Sequence, residues 1–397
     1  MPSLRRGAGQ ARISAGSGRP AQPEVLLDEE SPYGSRRVVV EYDGTTTAAY
    51  VHDGGGPIAA TWIANHSPAP RTVDVSVLSS GQAPQMPAGH TKHPQGRPLL
   101  ERDALSALWL EEGDGVAVLE HGTPIALIPG WSDMSTGMPG YASDIIGQTP
   151  FGWSLDQAME GLAPRIAEAR RFWQWRSDPA TWASYRQAVF GHLLGRLGPG
   201  GKYWDVSGGR PPLVGVSERP ATAQRPYTVL STVGMSCQRM PVIEQAGESA
   251  AGRARIELAL ATTMPSAEAA RVFLWLAQYP WREVAWLGAG HSVPWYHEPG
   301  TFPLGGPGGP GGAGGPGGAG GPGGAGGGYS AVLLLDEPGA LLGPDVPPLG
   351  GFTVSGAPVR WLWLVPISER ERLLAADRGP GSLVTQLAAQ RRSWVTG

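Results

Sequence analysis

Few residues in this chain combine the side-chain types and the spacing that chemistry requires. His90 and His93, with His291, His297 and Glu298, are the candidate metal ligands, since imidazole and carboxylate are donors that zinc selects. Yet His90-x-x-His93 falls in a Pro-rich stretch with Lys92 between the imidazoles, not on a framed helix or strand, which favours solvated loop histidines. Cys237 is the one cysteine. As a nucleophile it would need His291 or His297 as its base; otherwise a lone cysteine packs as a small apolar residue. The same two histidines carry the enzymatic alternative, a hydrolase with an unrecognised site. Glu111, Glu112 and Asp114 place three carboxylates in one turn. Paired carboxylates serve acid–base catalysis, but a hairpin turn predicts a solvated cluster.

Two nucleotide- and ester-type motifs fail on inspection. Gly234-Met235-Ser236-Cys237-Gln238 lacks the last glycine of G-x-S-x-G, so a strand running into a glycine turn explains it better. Gly200-Gly201-Lys202-Tyr203 carries Tyr203 where a P-loop requires Ser or Thr. The expectation is therefore a non-enzymatic chain, with no catalytic, cofactor-binding or metal residues assigned and no cofactor.

The elements that would position these residues follow from hydrophobic period. Residues 1–35, rich in Gly, Ser and Pro, predict a disordered arm, having too little apolar surface to offset ordering. Residues 36–153 predict an antiparallel β domain. Its strands surround turns at Asp43-Gly44, Gly113-Asp114-Gly115 and His121-Gly122, and Val73, Val75 and Val77 alternate with polar residues as in a half-buried strand. Residues 154–212 predict a helical segment and a Gly-rich connection. Leu162, Ile166, Ala169 and Trp173 share one helical face, and Asp178-Pro179 starts a second helix. The clustered Phe172, Trp173, Trp175 and Trp182 predict core packing, with an aromatic protein-binding face as the alternative. Residues 213–397 predict strands at Tyr227–Val233, Arg255–Ala261, Ser330–Leu335 and Val359–Val365. Ser368 and Glu371 form a capping box that opens a helix. The class is α+β.

Residues 305–328 are mostly Gly-Gly-Pro and Gly-Gly-Ala triplets, too short and too poor in proline for a collagen-type helix. They predict a flexible, disordered Gly-rich loop, with an assembly element as the alternative.

Composition removes several function classes. The net charge is −3, which argues against nucleic acid as a partner. A single cysteine excludes an intrachain disulfide and a multi-Cys zinc site. No apolar run is long enough for a membrane span, and the first 30 residues lack the apolar core of a signal peptide, so a cytoplasmic location is expected. Fifteen tryptophans mark packed cores. Lysine occurs only at Lys92 and Lys202, and that bias, with abundant Ala, Gly and Pro, points to a GC-rich bacterial genome.

Four segments, in order, resemble the suppressor of fused domain family. They are Pro226–Met240 with its Thr-Val-Gly-Met-Ser turn, Ile256-Glu257-Leu258-Ala259-Leu260, Gly290-His291-Ser292-Val293, and Leu364-Val365-Pro366-Ile367-Ser368 with Glu371. The resemblance runs from about Leu213 to Trp394, interrupted by the Gly-rich tract, and the region before it is similar to what precedes this domain in actinobacterial proteins. It implies protein binding rather than catalysis. Animal members sequester transcription factors by taking a peptide as an added strand between two domains, and bacterial relatives include toxin-neutralising immunity proteins. A protein partner, a toxin among the options, is thus expected, while oligomeric state is left open.

Overall fold

A computed structural model describes residues 23–80, 83–297, 301–304 and 328–397. The expectations for residues 1–22, for Glu298 and for tract residues 305–327 fall outside these. No described helix is long and apolar enough to cross a membrane.

The chain starts with a four-stranded antiparallel meander: β1 (Glu24–Glu30), β2 (Arg37–Tyr42), β3 (Thr46–Asp53) and β4 (Gly56–Asn65). Asp43 closes its predicted hairpin by accepting from the Thr45 and Thr46 amides. A second sheet holds β5 (Leu105–Trp109), β6 (Val116–Glu120), β7 (Thr123–Ile128), β8 (Tyr141–Ala142), β9 (Gln148–Thr149) and β10 (Gly152–Ser154). It is antiparallel except where β10 pairs with β8. Val38, Val40, Trp62, Val116 and Val118 pack into one core between the two sheets.

Two expectations in this region are corrected. Glu24–Glu30 belongs to no disordered arm, because its backbone pairs with β2 along its length. Val75–Ser80 is a 3-10 helix rather than a strand, and Val75 is exposed. Among the described residues no strand pairs with that segment, so local alternation has no ladder to join.

Two long helices follow, α1 (Leu155–Ser177) and α2 (Pro179–Leu197). Asp178 caps α2 as expected, its side chain accepting from the Ala180 amide at 2.9 Å. The Gly-rich connection contains one short strand that period did not predict, β11 (Tyr203–Asp205), which pairs with the equally unpredicted β12 (Gly215–Arg219).

The remaining chain builds one large mixed sheet. Its strands are β11, β12, β13 (Thr228–Val233), β14 (Arg255–Thr262), β15 (Ser292–Pro294), β16 (Ala331–Leu335), β17 (Thr353–Val354) and β18 (Ala357–Ile367). The order is β11-β12-β13-β14-β18-β16-β15, with β17 also on β18, and only the central β14–β18 pair is parallel. The tract residues 305–327 lie between β15 and β16, which pair directly, so the tract interrupts one antiparallel connection.

Helices cover both faces of this sheet. Short helices α3 (Ala250–Arg253), α4 (Ser266–Ala269), α5 (Arg271–Leu276) and α6 (Tyr279–Glu283) follow in the chain. Phe273, Leu276 and Trp281 from α5 and α6 pack on Ile256, Leu258, Leu260, Leu362 and Leu364. Tyr185, Val189 and Leu193 of α2 and Leu383 and Leu387 of α8 (Pro380–Ala389) pack on Ala259, Ala261, Trp361 and Trp363. Even- and odd-numbered positions of β14 thus serve opposite cores, as the period of a strand buried on both faces requires. Ser368 and Glu371 form the predicted capping box at the start of α7 (Glu369–Arg378).

Candidate functional site

Glu257 sits at the centre of β14 and is fully buried. Its odd number turns it toward α2, among residues that are otherwise apolar. A buried carboxylate costs several kcal/mol unless other groups replace its water, roughly. Here five donors do so. Oε1 accepts from the Tyr185 hydroxyl at 3.0 Å, the Gly234 and Ser236 amides at 3.0 and 3.1 Å, and the Ser236 hydroxyl at 2.8 Å. Oε2 accepts from the Thr232 hydroxyl at 2.6 Å. Among the described residues Glu257 forms no ion pair.

Local backbone makes this cradle. β13 ends at Val233, and Gly234 takes φ 129, turning the chain so that its own amide and that of Ser236 both face the carboxylate. A Cβ on Gly234 would stand 2.2 Å from the Leu213 carbonyl oxygen, so only glycine fits. The Ser236 and Tyr185 hydroxyls lie 2.6 Å apart. A serine hydroxyl beside a carboxylate has the elements of a nucleophile and base, but every member is buried. A pocket of ≈ 530 Å³ lies elsewhere, lined among others by Arg196, Arg225, Tyr227 and Asp345. The Glu257 network can hold the Gly234–Cys237 turn against the sheet; it offers a substrate no approach.

The second polar cluster corrects the expectation of a solvated acidic turn. Glu111, Glu112 and Asp114 are buried, because the turn between β5 and β6 inserts against the large sheet's domain. Glu111 Oε1 meets Arg255 Nη2 at 2.6 Å and accepts from the Arg239 amide at 2.8 Å. Glu112 pairs with Arg239 at 2.9 Å and with Arg165 at 3.4 Å. Asp114 accepts from the Val242 amide at 2.7 Å. Burial, and next the charge of Glu112, pushes the Asp114 carboxyl up to about 7. Arg255 links the two clusters, since its Nη1 also donates to the carbonyls of Ser236 and Cys237.

The other sequence candidates are dispersed. Cys237 is buried, and burial pushes its thiol up to about 12, the reverse of an activated nucleophile. His291 packs on Trp286 and His297 on Trp295. Among the described residues neither imidazole reaches a carboxylate or Cys237 by hydrogen bond. Burial holds His291 below the usual imidazole range. His93 Nδ1 bonds the buried Asp144, and His90 Nδ1 bonds the Ile146 carbonyl at 3.3 Å. No group of three metal-type donors converges among the described residues. Phe172 is buried and Trp173 donates to the Trp109 carbonyl at 2.7 Å, so the aromatic stretch of α1 serves packing.

In the sequence Glu257 carries no functional signal beyond its place in a strand that resembles the family, and Tyr185 and Thr232 carry none. A hydroxyl on a buried face resembles any other core residue until its partner is known.

Comparison with known proteins gives one family. Residues 209–397 match the family model described as "Suppressor of fused protein (SUFU)". No curated protein matches the chain. Among solved structures, a suppressor of fused homologue from Neisseria gonorrhoeae FA 1090 is 16% identical, with a TM-score of 0.33, over 54% of this chain and 93% of that one. A crystal structure of the Sufu–Fu complex is 13% identical, with a TM-score of 0.32, over 50% of this chain and 82% of that one.

Proposed function

From the suppressor of fused domain that occupies residues 209–397, we propose that this chain is a non-enzymatic protein-binding protein. The family match is the observation that carries the reading. The use of the polar residues supports it: Glu257, Ser236, Tyr185 and Arg255, the groups best suited to chemistry, are buried and bonded to one another or to backbone. The hydrolase alternative at His291 or His297 gains no support from their surroundings, where among the described residues each imidazole packs on a tryptophan.

The mode that the resemblance implies is strand addition, in which main-chain hydrogen bonds give affinity and pockets for alternate side chains give selectivity. The finer reading is that the partner is a toxin and that binding neutralises it, as in the immunity proteins among bacterial relatives. Affinity capture from the source cell, followed by titration of the recovered protein against the purified chain, tests the general reading. A stoichiometric complex supports it; recovery of no protein that binds when purified overturns it. Co-expression with a toxin encoded beside the gene tests the finer reading, which fails if growth is not restored.

A further inference from the structure

A pocket of ≈ 530 Å³ lies where the last turn of α2 meets the β12–β13 and β16–β17 loops. That volume falls within the range of about 300–1,000 Å³ typical of small-ligand sites. Its polar lining comes from Arg196, Gln224, Arg225, Tyr227 and Asp345.

The charges here are held in place but not neutralised. Arg225 is fixed by carbonyls: Nε donates to Tyr227, Nη1 to Leu197, and Nη2 to Arg219 and Pro220, which uses four of the five N–H bonds of a guanidinium. Arg196 lies against the Gly350–Gly351 backbone. Its Nη2 donates to the Gly350 carbonyl at 3.0 Å, and an added Cβ on Gly351 would come within 3.2 Å of that nitrogen. Its other N–H bonds have no partner among the described residues, and the side chain is exposed. Behind them Arg219 is buried, with two carbonyl contacts at 3.5 Å and a Nε that no described group accepts from. Among the described residues none of the three arginines forms an ion pair. The carbonyls at the end of α2 carry roughly half a negative charge, which one arginine offsets.

The one acid of the pocket is also unused. Among the described residues Asp345 forms no ion pair, and its carboxylate accepts no hydrogen bond. Both signs act on one hydroxyl: burial raises the Tyr227 phenol, the charge of Arg225 lowers it and that of Asp345 raises it. The same hydroxyl donates to the Asp345 carbonyl at 3.5 Å.

We propose that this pocket binds an α-carboxylate with an N–H donor beside it, the chemistry shared by a free amino acid and the C-terminal residue of a peptide. Arg196 turns its unused fork to the carboxylate, joined by the last N–H of Arg225 and the Gln224 amide. Asp345 accepts from the ammonium or amide N–H. Pro344 and Pro347 offer apolar wall for the rest of the ligand. A ligand that is only anionic, such as phosphate, leaves Asp345 unpaired and facing a like charge. Binding here needs no strand addition, so it goes beyond the function proposed above.

Two-dimensional amide NMR of the intact chain tests this with acetyl-tetraalanine and alanine, each as free acid and as amide, and with inorganic phosphate. At least one of the two acids is expected to shift the Gly343 and Asp345 amides saturably, with a Kd on the order of 1 mM. Amidation and Arg196→Gln should each weaken that binding about tenfold or more, since a charge-assisted bond is lost. Asp345→Ala should weaken it about threefold or more. Arg196 and Asp345 are exposed, so both variants keep the fold. Either acid sustains the proposal, and the tighter one identifies the source as a chain terminus or a free amino acid. No saturable shift with either acid overturns it. So do equal affinities for acid and amide, phosphate that binds more tightly than both acids, or Arg196→Gln that binds as the wild type does.

Discussion

Glu257→Ala is expected to leave the domain at the edge of folding, whereas Glu257→Gln should fold with about 2–4 kcal/mol less stability. Alanine removes the acceptor of five donors. Three can redirect: the Tyr185 and Ser236 hydroxyls already lie 2.6 Å apart, and Thr232 has the Leu258 carbonyl at 3.4 Å. The Gly234 and Ser236 amides cannot, and two buried orphan amides cost about 2–6 kcal/mol together. The cavity left by the side chain adds about 1–2 kcal/mol. The sum, about 3–8 kcal/mol, rivals the whole stability of a typical domain. Glutamine keeps Oε1 and its four donors but loses the charge, which roughly halves each bond. Its amide must also face the Thr232 hydroxyl oxygen, which already accepts from Leu258 N at 2.7 Å. Against this, a neutral side chain escapes the desolvation of a buried charge. Urea unfolding followed by circular dichroism measures the balance. A glutamine variant as stable as the wild type, or more so, would refute the view that the carboxylate is there to hold the turn.

Cys237 should resist a thiol reagent such as Ellman's at pH 8 in the native chain and react fully in urea. Its raised thiol stays protonated there, and the stability it contributes falls only as pH rises from 9 toward about 12. Rapid native reaction would contradict its burial. Gly113→Ala should destabilise by about 2–4 kcal/mol in a thermal melt, from overpacking and a left-handed backbone together. Its φ is +79, and the new Cβ would stand 2.2 Å from the Tyr33 ring, which is wedged between Trp173 and Trp281; an unchanged melt would show that the ring can move. Deleting residues 305–327 should preserve the fold and oligomeric state, because β15 and β16 pair directly and residues 295–304 and 328–330 can close the connection. A change of mass in light scattering would instead favour an assembly role for the tract.

Much of the framework was legible in the residues themselves. The Asp178 cap, the Ser368–Glu371 capping box, the Asp43 hairpin and the paired apolar strands β14 and β18 all depend on interactions within a few residues or on continuous apolar runs. Such signals survive without tertiary context. Val75–Ser80 shows the limit: its alternation was genuine, but a strand exists only where another backbone accepts its hydrogen bonds. Glu24–Glu30 shows the converse, since an acidic, mostly exposed strand becomes ordered because β2 lies beside it.

The polar residues divide the same way. The sequence by itself determined that Glu257 stands alone in an apolar strand and that three carboxylates crowd one turn after Leu110. Only the tertiary structure decided what they are for. Burial of a charge is settled by donors that arrive from elsewhere: Tyr185 is 72 residues from Glu257, and Val242 is 128 from Asp114. Those distances along the chain are erased by packing α2 on the large sheet and the β5–β6 turn against it. Hydrophobic period predicts which faces are buried, but not which distant donors will meet on them.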